Sequence, residues 1–414
     1  VLIIGAGLAG LSCATHLHRH GIPYRILEKS DAVGGRVRTD SVDGFRLDRG
    51  FQVLLTAYPE AKALLDYDAL DLHSFDAGAL VRKGEQFQHV SDPLRHPGRA
   101  LATLRADIGS WSDKLQILAL RRAAKKAFEK GGSHRLSGQS TFEGLQSTYG
   151  FSPSMVETFF RPFIGGITLD PSLQTDRAFF EFVMHMFSEG SAALPAGGMQ
   201  AIPEQLATGL NADWIHLSTP VARILDARTL VTEDGTSMEG EQIVLASDMS
   251  TARGLSSDVE ERSWNGTTCL YFDVPSSPVD APLLMLNGEG AGIINNVVVP
   301  SIVAPGYAPE GRHLVGVSTF SNPEVDSFDT LIRNELEDWF GKDVASWRHL
   351  RTYHIPHSLP SQAAGIRNLA PNGITATDNG LIVCGDHLTT SSINGAMASG
   401  RHAAEYVLAS HQSS

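Results

Sequence analysis

The chain has 414 residues, 42% hydrophobic and 19% charged, with a net charge of −13. That length buries a large core and suggests two or three domains, and the acidic excess excludes nucleic acid as the main partner, because phosphate binding needs a basic face. No apolar run approaches the roughly 18 residues of a bilayer span, and Cys13, Cys269 and Cys384 stand far apart in apolar runs, which fits buried, reduced thiols and a cytoplasmic compartment.

Val1-Leu2-Ile3-Ile4 has the continuous apolar character of a buried parallel strand. It runs into Gly5-Ala6-Gly7-Leu8-Ala9-Gly10 and then a helical stretch, Leu11 to His20, closed by Gly21-Ile22-Pro23. Tyr24 to Glu28 reads as a second strand. In this order the glycines have distinct tasks: Gly5 permits the tight turn, Gly7 admits a pyrophosphate to the backbone, and Gly10 lets helix pack on strand. The helix N-terminus offers free N–H groups to phosphate, and Glu28 falls where an acid accepts hydrogen bonds from ribose. A glycine turn without a ligand would leave Glu28 unexplained, so the pattern predicts a dinucleotide site.

Lys29-Ser30-Asp31-Ala32-Val33-Gly34-Gly35-Arg36 follows at once. This segment resembles the second phosphate-side loop of the flavin amine oxidase superfamily, which includes protoporphyrinogen oxidases and phytoene desaturases. The resemblance implies that the loop sits over the pyrophosphate of FAD and that Arg36 neutralises it, a task suited to a planar, permanent cation. Gly44 to Gln52 looks like the stretch that runs beneath the flavin ring, with Gly50, Phe51 and Gln52 nearest to it.

From Ser91 to Lys130 leucines and isoleucines recur at helical spacings, and nine Lys or Arg stand against four acids. A solvated helical face is the default reading; a peripheral membrane contact through 91–130 is the alternative, since basic amphipathic helices bind anionic lipids. Phe142, Phe151, Phe159, Phe160, Phe163, Phe179, Phe180, Phe182 and Phe187 then crowd one region. They fit a core and a pocket for a hydrophobic substrate equally well. Leu194 to Gln200 resembles the superfamily's PxGGM segment, and Val221 its adenine-side valine. The 16 histidines are scattered and show no metal-ligand spacing.

Gly380 to Asp386 is an apolar strand ending in Gly385-Asp386, and Asn394-Gly395-Ala396 opens a final helix. Together they resemble the superfamily's C-terminal flavin motif. By that resemblance Asp386 holds the ribityl–phosphate region, Ile393, Asn394 and Ala396 lie at the ring, and the helix N-terminus stabilises its negative edge. The cysteine or histidine that would bind flavin covalently near Ser391 to Asn394 is absent, leaving Cys384 and His387 as weak candidates, so non-covalent FAD is expected.

The resemblance implies an α/β fold: a discontinuous Rossmann-type FAD-binding domain (1–80, 190–260, 361–414) with an inserted mixed α+β substrate domain (81–189, 261–360; helical near 91–187). True amine oxidases of the superfamily keep a lysine near flavin N5 and an aromatic cage. Here threonine stands in that strand, Gly266 to Asp273, and Ser391-Ser392-Ile393 has no aromatic. The expected enzyme is therefore an FAD-dependent oxidoreductase that takes hydride from a small hydrophobic substrate, desaturating a C–C or C–N bond and passing electrons to oxygen, a quinone or another acceptor. A flavin amine oxidase, a reduced-FAD isomerase or cyclase, and a non-catalytic prenyl carrier of the GDP-dissociation-inhibitor type are the alternatives. Tyr353, His354 and His357 are substrate-side candidates; the two histidines fit ordinary half-buried positions as well.

Overall fold

The computed structural model describes residues 1–91, 95, 106–130, 136–320, 328–366, 370 and 373–412. Its first layer is a six-stranded sheet in the order 215–216, 25–27, 2–4, 243–245, 382–384, 374–376. The central strands β1 (Leu2–Ile4), β2 (Arg25–Leu27), β3 (Ile243–Leu245) and the later β6 (Ile382–Cys384) are parallel, and only the 374–376 edge runs antiparallel. β1, β3 and β6 are buried throughout, which is why they read as unbroken apolar runs rather than alternating ones.

Helix α1 (Leu8–Arg19) follows β1 directly, starting three residues earlier than its sequence pattern suggests. It ends as expected: Gly21, at φ +71°, lets its own N–H and that of Ile22 return to the carbonyls of His18 and Leu17. The last helix, α8 (Ile393–Gln412), lies against α1. Their contact is close because it is made of small residues. A side chain on Gly400 would overlap the carbonyl oxygen of Ala9, and Ser12 Oγ donates to the Met397 carbonyl at 2.7 Å. Residues almost four hundred positions apart thus form one wall.

The second layer is a seven-stranded sheet in the order 348–360, 264–274, 313–319, 294–298, 284–287, 78–83, 86–91. Strands β4 (Trp264–Val274) and β5 (Arg348–Pro360) pair antiparallel at one edge. Leu270, Phe272, Val315 and Val317 project to one face, where helix α7 (Phe328–Phe340) buries Ile332 and Leu336 on them. Cys269 and Tyr271 project to the other, into the core shared with α1 and α8. The strand Gly78–Lys83 runs through 80/81: it pairs in parallel with Leu284–Asn287 and forms a hairpin with Gln86–Ser91. The ladder keeps the whole hairpin in the second sheet.

The helical part contributes α3 (Trp111–Glu129), α4 (Arg161–Thr168) and α5 (Arg177–Glu189). Much of the basic stretch, 92–94 and 96–105, lies outside the described residues. Most of the phenylalanines are core: Phe151, Phe160 and Phe180 are buried together with Leu145 and Val156, while Phe179 and Phe182 join the large cluster next to α1.

Candidate cofactor and substrate site

The ends of β1, β2, β3 and β6 converge on one crevice, and their loops build its floor. Gly5 stands at φ +107°, where a Cβ would press on the Ala246 carbonyl oxygen at 2.7 Å. A side chain on Gly10 would overlap the Gly5 carbonyl, whereas one on Gly7 would meet nothing within 4 Å. The first and third glycines are therefore required by packing, and the second borders open space at the N-terminus of α1. Gly7 is the N-cap there and makes no side-chain cap bond, so the first-turn N–H groups, including those of Leu8 and Ala9, remain available to an anion.

Glu28 is buried at the end of β2. Its carboxylate accepts N–H bonds from Ala6 at 2.7 Å and Ser30 at 2.8 Å, so the acid also fastens the glycine loop to the second strand. A carboxylate has about four acceptor positions, which leaves capacity for ribose hydroxyls. The chain at Ser218 and Thr219 bonds to the backbone of Ser30 and Glu28, and Val221 begins a hairpin strand just beyond. Lys29 is exposed and reaches Asp248 at 3.8 Å.

Gly34 and Gly35, both at positive φ, fold the second loop onto the first: Gly34 N–H donates to the Ala6 carbonyl at 2.8 Å. Arg36 then points across the crevice. It donates to the Ser358 carbonyl at 2.7 Å and to the carboxylate of Asp386, and its guanidinium lies 5.6 Å from the Trp264 ring. Asp386, buried after β6, thus meets the arginine 350 residues earlier in the chain. Gly385 N–H bonds to Ser399 Oγ of α8 at 2.8 Å, which fixes the loop against the final helix. At the start of α8, Ile393 packs on the central core, Asn394 Oδ1 accepts the Glu60 N–H at 3.0 Å, and Ala396 continues the first turn. These groups fit a dinucleotide: two helix N-termini, a strand-end acid, and a cation–carboxylate pair border one glycine-floored crevice.

Beneath the expected ring position, Gly50 is at φ +86° and a Cβ there would come 2.8 Å from Ile355 Cδ1. Thr267, on β4 beside it, donates to the Thr319 carbonyl at 2.8 Å. Gln52 donates to the Arg36 carbonyl at 3.0 Å, and Phe51 packs edge-on to Phe75. A buried carboxylate that sequence reasoning missed supports this stretch. Asp48 accepts from Thr39 Oγ1, Met199 N–H and Tyr307 OH at 2.6, 3.0 and 2.8 Å, and burial still pushes its carboxyl up to about 6. The signal was the aspartate inside the motif; its partners come from three distant segments.

The substrate-side candidates separate. Tyr353 faces the shared core and donates to Asp40 at 2.7 Å. His354 pairs with Thr268 on the opposite face, 3.1 Å from its hydroxyl, so the structure does not bring it to the crevice. His357 is exposed and stacks on Trp264 at 5.0 Å. Closer to the closing loop, Thr168, Thr175, Phe179, Asn265, Leu359, Pro360, Gln362 and Ser391 surround a gap of about 10 Å³, room for about one water, between the helices, the two edge strands and α8. No residue among them carries a charge. Burial pushes the Cys384 thiol well above its ordinary range and the His387 imidazole down to about 4. No group of His, Cys, Asp or Glu among the described residues is arranged to hold a metal.

The family model of flavin containing amine oxidoreductases matches residues 8–408. Protoporphyrinogen oxidase 2 of Arabidopsis thaliana is 26% identical over 255 residues, covering 53% of this chain and 49% of that one. Phytoene desaturase of Cercospora nicotianae is 26% identical over 156 residues, 35% of this chain and 23% of that one. The chain thus spans about half or less of the length of these curated relatives. Among solved structures, an oxidoreductase from Methanosarcina mazei superposes with a TM-score of 0.75 at 20% identity, over 99% of both chains, which shows the fold. With the crevice, its two glycine loops and the match along nearly the whole chain, this protein belongs to the flavin-containing amine oxidoreductase family and its cofactor is FAD.

Proposed function

We propose that this chain is an FAD-dependent oxidoreductase that removes hydride from a hydrophobic substrate without an ammonium group, desaturating a C–C or C–N bond. The observation that carries this reading is Thr267, which stands beside Gly50 on the strand where the superfamily's amine oxidases keep a lysine and spends its hydroxyl proton on the Thr319 carbonyl. An alkylammonium ion desolvated beside the closing loop would need a carboxylate or an aromatic cage, and Ser391, Ser392 and Ile393 supply neither. A C–H donor without that charge needs only apolar contact and a few orienting hydrogen bonds. The relatives named protoporphyrinogen oxidase and phytoene desaturase are named for compounds that carry no ammonium group.

Bound flavin supplies the two-electron sink for the hydride and returns the electrons to oxygen, a quinone or another acceptor. The chain's own part is to hold the substrate carbon near the ring and exclude water. Thr267 spends its hydroxyl proton on the Thr319 carbonyl, which leaves no strong base at the lysine position. Hydride abstraction from such a substrate requires none.

The test is anaerobic mixing of the FAD-loaded protein with protoporphyrinogen, phytoene or putrescine while the flavin absorbance is followed. Bleaching by either hydrophobic compound and none by putrescine is expected. Bleaching by putrescine alone would overturn the proposal in favour of amine oxidation. Turnover that appears only after prior chemical reduction, with no acceptor consumed, would instead assign an isomerase, and a protein that takes up no FAD would point to a carrier.

A further inference from the structure

The outward face of α3 has an order that packing does not explain. At about 100° per residue, Trp111, Leu115, Leu118, Arg122, Lys125, Lys126 and Glu129 share one side of the helix, opposite the buried Leu120 and Ala124, and Lys114 lies 5.6 Å over the Trp111 ring. Trp111 is 66% exposed and Leu115 70%, among the most exposed large apolar side chains described. A soluble surface gains nothing by presenting a Trp–Leu pair one turn apart. Behind them the same face becomes cationic, and Arg121, Arg122 and Lys125 line a cavity of about 210 Å³ that also includes Leu118, Ser188 and Glu189. From Trp111 to Lys130 there are six Lys or Arg and two acids, one of which, Asp113, is buried in the helix's own capping box. This cationic face stands on a chain of net charge −13.

We infer that α3 docks the protein on an anionic lipid bilayer, with Trp111 and Leu115 entering the headgroup boundary and Arg121, Arg122, Lys125 and Lys126 pairing with lipid phosphates. Charge complementarity selects an anionic surface, and the exposed indole selects a bilayer over a soluble polyanion, because Trp is favoured where one end is apolar and the other wet. The helix lies along the surface and does not cross it: no described helix is long and apolar enough to span. The remainder of the acidic surface is repelled by the same lipids, which orients the molecule with α3 and the C-terminal end of α5 toward the bilayer. This inference does not depend on the proposed reaction, since docking is read without turnover.

The experiment is co-sedimentation of the full chain with vesicles of equal parts phosphatidylglycerol and phosphatidylcholine, and with phosphatidylcholine alone. Binding to the first, weakened by salt, and little to the second is expected. Each basic residue near the surface contributes about fivefold in partition, so K125E/K126E should lower binding by roughly 25-fold or more. W111S/L115S should abolish the blue shift of tryptophan emission on binding and most of the salt-resistant fraction. All four side chains point away from the core, so circular dichroism and melting of both variants should match the parent. Failure to bind anionic vesicles overturns the inference. So does binding that W111S/L115S leaves unchanged, which would mark the face as a site for soluble polyanions or acidic proteins.

Discussion

The six-stranded and seven-stranded sheets differ in what they tolerate. Around the crevice the decisive atoms belong to the backbone. A side chain on Gly10 or Gly400 would occupy the place of a carbonyl oxygen, and one on Gly50 would press on Ile355. Under the second sheet the decisive atoms are generic hydrocarbon. Phe160 is wholly buried with Phe151, Phe159 and Phe180 around it at 4.7 to 6.1 Å, and apolar groups of similar volume can share such space. Close backbone approach fixes the first region atom by atom, whereas a hydrocarbon core constrains mainly volume and polarity.

That contrast is open to measurement. Gly400→Val places two methyl groups where the Ala9 carbonyl lies and should cost more than about 3 kcal/mol, or prevent folding, beyond the usual overpacking range. Phe160→Leu, which changes as many side-chain carbons but removes them, should cost about 1 to 2 kcal/mol in a thermal or urea melt. Similar losses at the two sites would erase the distinction.

Asp48 sharpens it further, as a buried charge shared by the two regions. Burial lifts its carboxyl to about 6, above the roughly 3.9 of an exposed aspartate. The folded chain therefore holds this proton more tightly than the unfolded chain. The group's favourable contribution is complete below about pH 4 and is lost as pH rises through about 6, a swing of at most about 3 kcal/mol. Measured against pH, the stability difference between Asp48→Asn and the parent should move toward the variant over that window. A flat difference would mean that the three donors to Asp48 offset its burial.

Smaller effects separate cofactor contacts from the surface near them. Asp386→Ala leaves Arg36 without its carboxylate and should raise the FAD dissociation constant at least about tenfold, or ~1.4 kcal/mol. Flavin-to-protein ratios after gel filtration would show it, and full occupancy would remove Asp386 from the site. Lys29→Ala, by contrast, breaks an exposed pair at 3.8 Å and should change stability by less than about 0.5 kcal/mol. A larger loss, in melting or in FAD affinity, would place Lys29 in the binding machinery.

The glycine-floored turn after β1 was legible in the residues alone, because its requirements are local. Gly5 and Gly10 are forced by turn and close-approach geometry, β1 and β6 by burial on both faces, and Glu28 by its distance along the chain from the glycines. Each leaves a residue type that little else would select. Packing between distant segments settled the rest. It set Arg36 against Asp386, gave Asp48 its partners Thr39, Met199 and Tyr307, and turned His354 to the face away from the crevice through its register with Thr268. It also assigned the Gly78–Lys83 strand to the second sheet and sent most of the phenylalanines into the core. Those outcomes depend on which distant segments pack together, and packing among interchangeable apolar residues leaves no spacing for a sequence to display.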